Sequence, residues 1–164
     1  MWADMTAKLE GGCTCGRVRY RLKRAPMITH CCHCTWCQRE TGSAFVVNAL
    51  IETSEIELLG VAPVITDTPS DSGKGQWIAR CPYCHVAVWS HYPTAREAAA
   101  FVRAGTLDDK QAIAPDVHIF TASKARWLTL GDSKPAFEAF YGDRPAIWGR
   151  DAMDRWEALM AGRK

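Results

Sequence analysis

Eight cysteines in three tight clusters constrain this chain more than any other feature of its 164 residues. Cys13 and Cys15 form a C-x-C pair, Cys31, Cys32, Cys34 and Cys37 crowd together, and Cys81 and Cys84 form C-x-x-C. Two thiolates this close on a turn reach one zinc ion at about 2.3 Å, and two such pairs complete a tetrahedral four-sulfur site. Cys13, Cys15, Cys81 and Cys84 meet that requirement. Such a site pins the start of the fold to its middle and contributes on the order of 10 kcal/mol to folding in small zinc modules. The bland alternative makes Cys13 or Cys15 a small buried hydrophobe.

The middle cluster behaves differently. Cys32, Cys34 and Cys37 supply three thiolates as C-x-C-x-x-C, without an obvious fourth. Structural zinc is closed by four protein ligands, whereas catalytic zinc keeps one position for water or substrate. Three thiolates make a metal electron-rich, so its remaining position suits a soft sulfur ligand better than a hydrolytic water. Neighbouring side chains in an extended segment point to opposite sides, so Cys31 and Cys32 do not easily share a metal, and Cys31 reads as a buried spectator. His30 and His33 are also possible ligands, although His33, between two expected ligands, tends to face away. Thr35 with Gln38 has the form of a capping pattern that places Cys37 in a short helical turn. A redox role for C-x-x-C is the weaker reading.

The rest of the chain reads as a mainly β single domain over residues 1–164, with 48% hydrophobic residues to fill a core. Strands are expected around Val18 to Leu22, Ala44 to Ile51, Glu55 to Leu58, Gln76 to Ala79, Val86 to Tyr92, Val117 to Thr121 and Arg126 to Leu130. Thr66 to Gly75 reads as an exposed loop. The tail reads as an amphipathic helix capped by Asp151, with Met153, Trp156, Leu159 and Met160 on one face. Ala95 to Arg103 has helix propensity. A net charge of +2 from 20 basic and 18 acidic residues gives no electrostatic case for nucleic acid or an anionic membrane. Met1 to Gly12 has no apolar signal-peptide core, so a cytoplasmic protein with metal-bound rather than disulfide-linked cysteines is expected.

Together the motifs resemble the glutathione-dependent formaldehyde-activating enzyme family, which includes centromere protein V. The resemblance runs through G-x-C-x-C-G-x-V-x-Y at Gly11 to Tyr20, C-x-C-x-x-C-x-x-x-x-G-S-A-F at Cys32 to Phe45 and C-P-Y-C at Cys81 to Cys84. It continues through A-G-T-L-D-D at Ala104 to Asp109, P-D-V-H-I-F at Pro115 to Phe120 and the Trp127 region. It implies a β-tent-like fold of packed antiparallel sheets with a short C-terminal helix. It also implies two zinc ions, one at the four-cysteine site and one at Cys32, Cys34 and Cys37. Against local propensity, the resemblance implies that Ala98 to Ala104 is extended. His85 stands where the family usually has a glycine, a position at which positive φ is expected.

The activity so implied is carbon–sulfur bond formation between glutathione and formaldehyde, a lyase-type reaction giving S-hydroxymethylglutathione. Arg17, Arg39 and Lys124 are the expected cationic partners for the carboxylates of glutathione. The backbone at Gly42 and Ser43 is a further candidate contact, with a helix-ending turn as its alternative role. His118 is placed at the pocket wall or in the core, and Trp127 in the core. A small-thiol carrier and a zinc-stabilised interaction scaffold are the competing readings, since one fold hosts several functions.

Overall fold

The computed structural model describes residues 9–163; the N-terminal segment examined for an export signal lies outside them through residue 8. Among the described residues, ten strands build two sheets. Strands β1 (Glu10–Gly12), β2 (Arg19–Leu22) and β5 (Ile56–Leu58) form the smaller sheet in the order β1-β2-β5. The larger one contains β3 (Ile28–Cys32), β4 (Val46–Glu52), β6 (Val64–Thr68), β7 (Gln76–Arg80), β8 (Ala87–His91), β9 (Ala99–Arg103) and β10 (Val117–Ile119). Its order is β10-β3-β4-β9-β8-β7-β6, and its neighbours pair antiparallel except β10, which runs parallel to β3. The mainly β architecture therefore stands, with one parallel edge pair.

Alternation along the central strands divides the core in two. Ala49, Ile51, Ala100 and Val102 point toward Tyr20, Leu22 and Leu107 beside the smaller sheet. Val46, Leu50 and Ala99 point the other way, toward Tyr141, Trp148 and Trp156 of the C-terminal segment. Strand β9 lies between β4 and β8 and fills both layers, which outweighs the helix propensity of its alanines. The tendency to coil survives only as a 3-10 turn at Arg96–Ala98.

Among the described residues there are three α-helices: α1 (Thr35–Thr41), α2 (Arg144–Ile147) and α3 (Arg150–Ala161). Helix α3 confirms the amphipathic tail, since Trp156 is buried and Met153, Leu159 and Met160 pack partly buried beside it. Its N-cap is Gly149, however, and Asp151 lies inside the first turn, where a carboxylate still favours the helix dipole. No helix among the described residues is long and apolar enough to cross a membrane.

Other local expectations fail for identifiable reasons. Arg126 to Leu130 forms no strand, because the amide of Leu128 turns back to the carbonyl of Ala125 and has no strand partner. Trp127 is consequently 76% exposed rather than in the core. The loop expected from Thr66 begins later, since Val64–Thr68 pairs antiparallel with β7. Strands β1, β3 and β6 carry no alternating pattern in the sequence, being respectively short, wholly buried and polar.

A partly buried ion pair fastens α3 to the sheet. Arg155 donates to both carboxylate oxygens of Glu52, at 2.8 and 2.5 Å, and to the carbonyl of Ala25 at 3.0 Å. Burial alone would raise the Glu52 carboxyl, but the guanidinium outweighs it and holds the group below its ordinary value. Removing Arg155 strips the Glu52 carboxylate of its bidentate partner and leaves Arg24, at 4.0 Å, as its remaining cation. Arg155→Ala is expected to lower unfolding free energy by about 1–3 kcal/mol in urea titration. In the wild type, the contribution of Glu52 is present above the ordinary glutamate pKa. It is lost as pH falls through the depressed folded value, so the gap between wild type and variant should narrow in acid.

Candidate metal centres

Two turns of similar construction bring the outer cysteine pairs together. In the first, the amide of Cys13 donates to the carbonyl of Val18 and the amide of Gly16 to the carbonyl of Cys13, both at 3.1 Å. In the second, the amides of Cys81 and His85 bond to the carbonyls of Val86 and Cys81, both at 3.0 Å. The amides of Val18 and Tyr83 point at the sulfurs of Cys13 and Cys81, at 3.3 and 3.4 Å. Amides aimed at sulfur favour thiolate.

The four sulfurs lie within 4.8 Å of one another. Cys13 and Cys15 Sγ are 3.4 Å apart, and Cys15 and Cys81 Sγ 3.7 Å. A tetrahedral zinc with bonds of about 2.3 Å requires sulfur separations of about 3.8 Å, so this donor set fits a closed site. The amide of Val86, with that of Cys15, holds the Cys84 thiol down to about 6. Arg17 lies over the Tyr83 ring at 4.2 Å and so bridges the two cysteine turns.

Each turn needs a left-handed residue after its second cysteine. Gly16 supplies it with φ 76° and His85 with φ 62°. His85 therefore keeps the backbone expected of glycine at that position, at the steric cost of a Cβ in the left-handed region.

The middle cluster rests on strand alternation followed by a helix cap. Cys32 ends β3 and Cys34 is the N-cap of α1, in place of the expected Thr35. The Cys34 sulfur accepts from the Cys37 amide at 3.3 Å, while Gln38 reaches back to the carbonyls of His33 and Ser123. The sulfurs of Cys32, Cys34 and Cys37 all lie within 4.8 Å of one another. Without a cation, so close a group favours one thiolate. Hydrogen bonds from Cys32 and Cys37 hold the Cys34 thiol down to about 2, and Cys32 is pushed up to about 12 by the Cys34 sulfur.

A cavity of about 600 Å³ opens beside these three sulfurs. Its walls include Leu50, Phe101, Phe120, Phe140, Trp148 and Trp156, and its polar groups include Asn48, Lys74, Gln76 and Arg144. The Arg144 guanidinium lies 5.1 Å from the rings of both Trp148 and Trp156. Its Nε and the Gln76 Oε1 are buried without a hydrogen-bond partner. His30, also on the wall, has its Nε2 2.6 Å from the Tyr141 hydroxyl, which accepts from the Trp148 indole at 2.6 Å. Burial pushes the His30 pKa down to about 4.

The side chains expected to bind substrate lie elsewhere. Arg17 stacks on Tyr83, and Arg39 is exposed in the last turn of α1. Lys124 is spent on the carbonyls of Ala125 and Leu128. Gly42 ends α1 with φ 64°, and the Ser43 amide donates to Thr41 Oγ1, which gives that pair its helix-ending role. His118 faces the opposite side of the sheet, beside Cys31 and His33. Lys74, Gln76 and Arg144 take the places by the cavity instead, and no local motif marks them.

The model of the glutathione-dependent formaldehyde-activating enzyme family matches residues 8–123, most of the chain and all three cysteine groups. The chain belongs to this family. It is an enzyme family acting on glutathione and formaldehyde. No curated protein sequence matches the chain. A crystal structure of a Rhodobacter sphaeroides protein is similar at 18% identity and a TM-score of 0.46, covering 65% of this chain and 91% of that one.

Two changes test the outer turns. His85→Gly should shift stability by less than about 1 kcal/mol, toward greater stability, as relief of left-handed strain offsets glycine's added chain entropy. A β-branched His85→Val should cost about 1–3 kcal/mol, read by thermal unfolding.

Proposed function

We propose that the protein is a zinc-dependent carbon–sulfur lyase that joins a small thiol, glutathione first, to formaldehyde to give S-hydroxymethylglutathione. The observation that carries this reading is the convergence of three unbridged cysteine sulfurs beside a cavity with both aromatic walls and cationic groups. The ligands would be Cys13, Cys15, Cys81 and Cys84 at the closed centre, and Cys32, Cys34 and Cys37 at the substrate centre. Bound at those last three, zinc would supply Lewis acidity and one position for a substrate sulfur held as thiolate.

The chain's own residues do the rest. Arg144, its planar fork lying against two indoles, suits a substrate carboxylate, and the orphaned Nε has a donor to offer. Lys74 is a second cation for a tripeptide that carries two carboxylates. Phe101, Phe120 and Trp148 exclude water from the reacting carbon and sulfur, which strengthens these contacts. The sulfur attacks the carbonyl carbon, the C–S bond forms as the C=O π bond opens, and the proton lost by the thiol returns to the new oxygen. No oxidant or reductant is required. Since the addition also proceeds unaided, much of the enzyme's task is orientation.

Glutathione titration followed by a formaldehyde turnover assay, on wild type and on Cys34→Ser, tests the reading. Wild type should accelerate adduct formation, and Cys34→Ser should lose zinc from the substrate centre together with that acceleration. Glutathione binding without acceleration would replace the enzyme reading with a carrier. Arg144→Ala should raise KM for glutathione about tenfold or more, the equivalent of one charge-assisted hydrogen bond, and change kcat less.

A further inference from the structure

We propose a third metal centre, formed by Cys31, His33 and His118 on the face of the large sheet opposite the three-cysteine cluster, with Asp132 as its outer-shell partner. It rests on geometry independent of the proposed lyase activity. Strand β3 directs Cys32 to one face and Cys31 to the other, and His33 continues the second direction. The parallel pairing of β10 places His118 opposite Cys31 in register. The three donor atoms lie within 4.8 Å of one another, and all three residues are buried.

Two distances carry the assignment. Cys31 Sγ lies 3.5 Å from His33 Nε2, which lies 3.0 Å from His118 Nδ1. A tetrahedral zinc with Zn–S of about 2.3 Å and Zn–N of about 2.0–2.1 Å calls for separations of about 3.5 Å between S and N and about 3.3 Å between the nitrogens. A proton accounts for the cluster less completely. His118 Nε2 is 2.8 Å from Asp132 Oδ2, so it donates there and leaves Nδ1 as a lone pair. A hydrogen on His33 Nε2 then serves either His118 or the Cys31 sulfur, while one cation serves all three atoms at once.

His118 has the outer shell common to histidine metal ligands, its second ring nitrogen donating to a carboxylate, whereas the second ring nitrogen of His33, Nδ1, is buried with no hydrogen-bond partner. Asp132 is itself oriented by the Lys134 amide, which donates to its other oxygen at 3.2 Å. A cavity of about 440 Å³ adjoins the donors and includes Lys110, Thr129 and Asp132 in its lining. Three protein donors would leave one position for a further ligand, which the adjoining cavity could admit. With two imidazoles and one thiolate, the metal would be less electron-rich than at the three-cysteine centre. Its fourth ligand is therefore expected to be water or a small oxygen anion rather than a thiol.

Zinc titration against a chelator and zinc X-ray absorption test the centre. Wild type should take up three zinc ions with imidazole scattering in its spectrum, and Cys31→Ala should take up two. The double variant Cys34→Ser, Cys37→Ser should also bind two and retain the imidazole signal, which separates this centre from the substrate centre. Asp132→Asn should weaken the third ion's affinity about 10–100-fold with folding unchanged by circular dichroism. An all-sulfur spectrum with two ions, or equal zinc uptake by wild type and Cys31→Ala, would overturn the proposal whatever the lyase assay shows.

Discussion

The two-fold alternation of strand β3 is the constraint on which the chemistry of this protein depends. A strand gives consecutive side chains to opposite faces. The run His30 to Cys34 therefore sends His30, Cys32 and Cys34 toward the aromatic cavity and Cys31 and His33 toward the other. Wholly buried and flanked by β4 and β10, the strand cannot slip by one residue without exchanging both sets. Five adjacent metal-ligand-type side chains are thus sorted into two chemically distinct neighbourhoods.

That sorting depends in turn on how the sheets are held. The outer cysteine turns meet where the start of the smaller sheet faces the β7–β8 end of the larger one, and Arg17 on Tyr83 braces that junction. On the other face, the Glu52–Arg155 pair holds α3 against β4, and the Trp148–Trp156 contact joins α3 to the end of α2. These helices lie beyond residue 123, where the family match ends, yet they supply Arg144, Trp148 and Trp156 to the cavity. In the proposed reaction, the cysteines of the family region would act in a pocket finished by the tail, where selectivity among thiols would reside.

His85 and β9 show two ways in which tertiary context overrides a local preference. At His85, a bond from its amide to the Cys81 carbonyl maintains a left-handed turn for a residue with a Cβ. In β9, helix-favouring alanines become strand because both faces of the sheet need small residues at the centre. The opposite happens at Arg126 to Leu130, where β-favouring residues find no partner strand. They form part of the irregular segment preceding Asp132, which meets His118.

What the sequence determined by itself was the grouping of sulfurs, the mainly β character and the family, because ligand spacing and strand period are local properties that survive without coordinates. The closure of Cys13 and Cys15 on Cys81 and Cys84 followed from counting donors. Only the tertiary structure decided which cations face the cavity, since Lys74 and Arg144 come from a loop and a tail that no spacing rule connects to Cys34. It alone also brought His33 and His118 together, 85 residues apart. That meeting depends on one parallel register between two short strands, and strand pairing at such separation is set by the packing of the whole sheet.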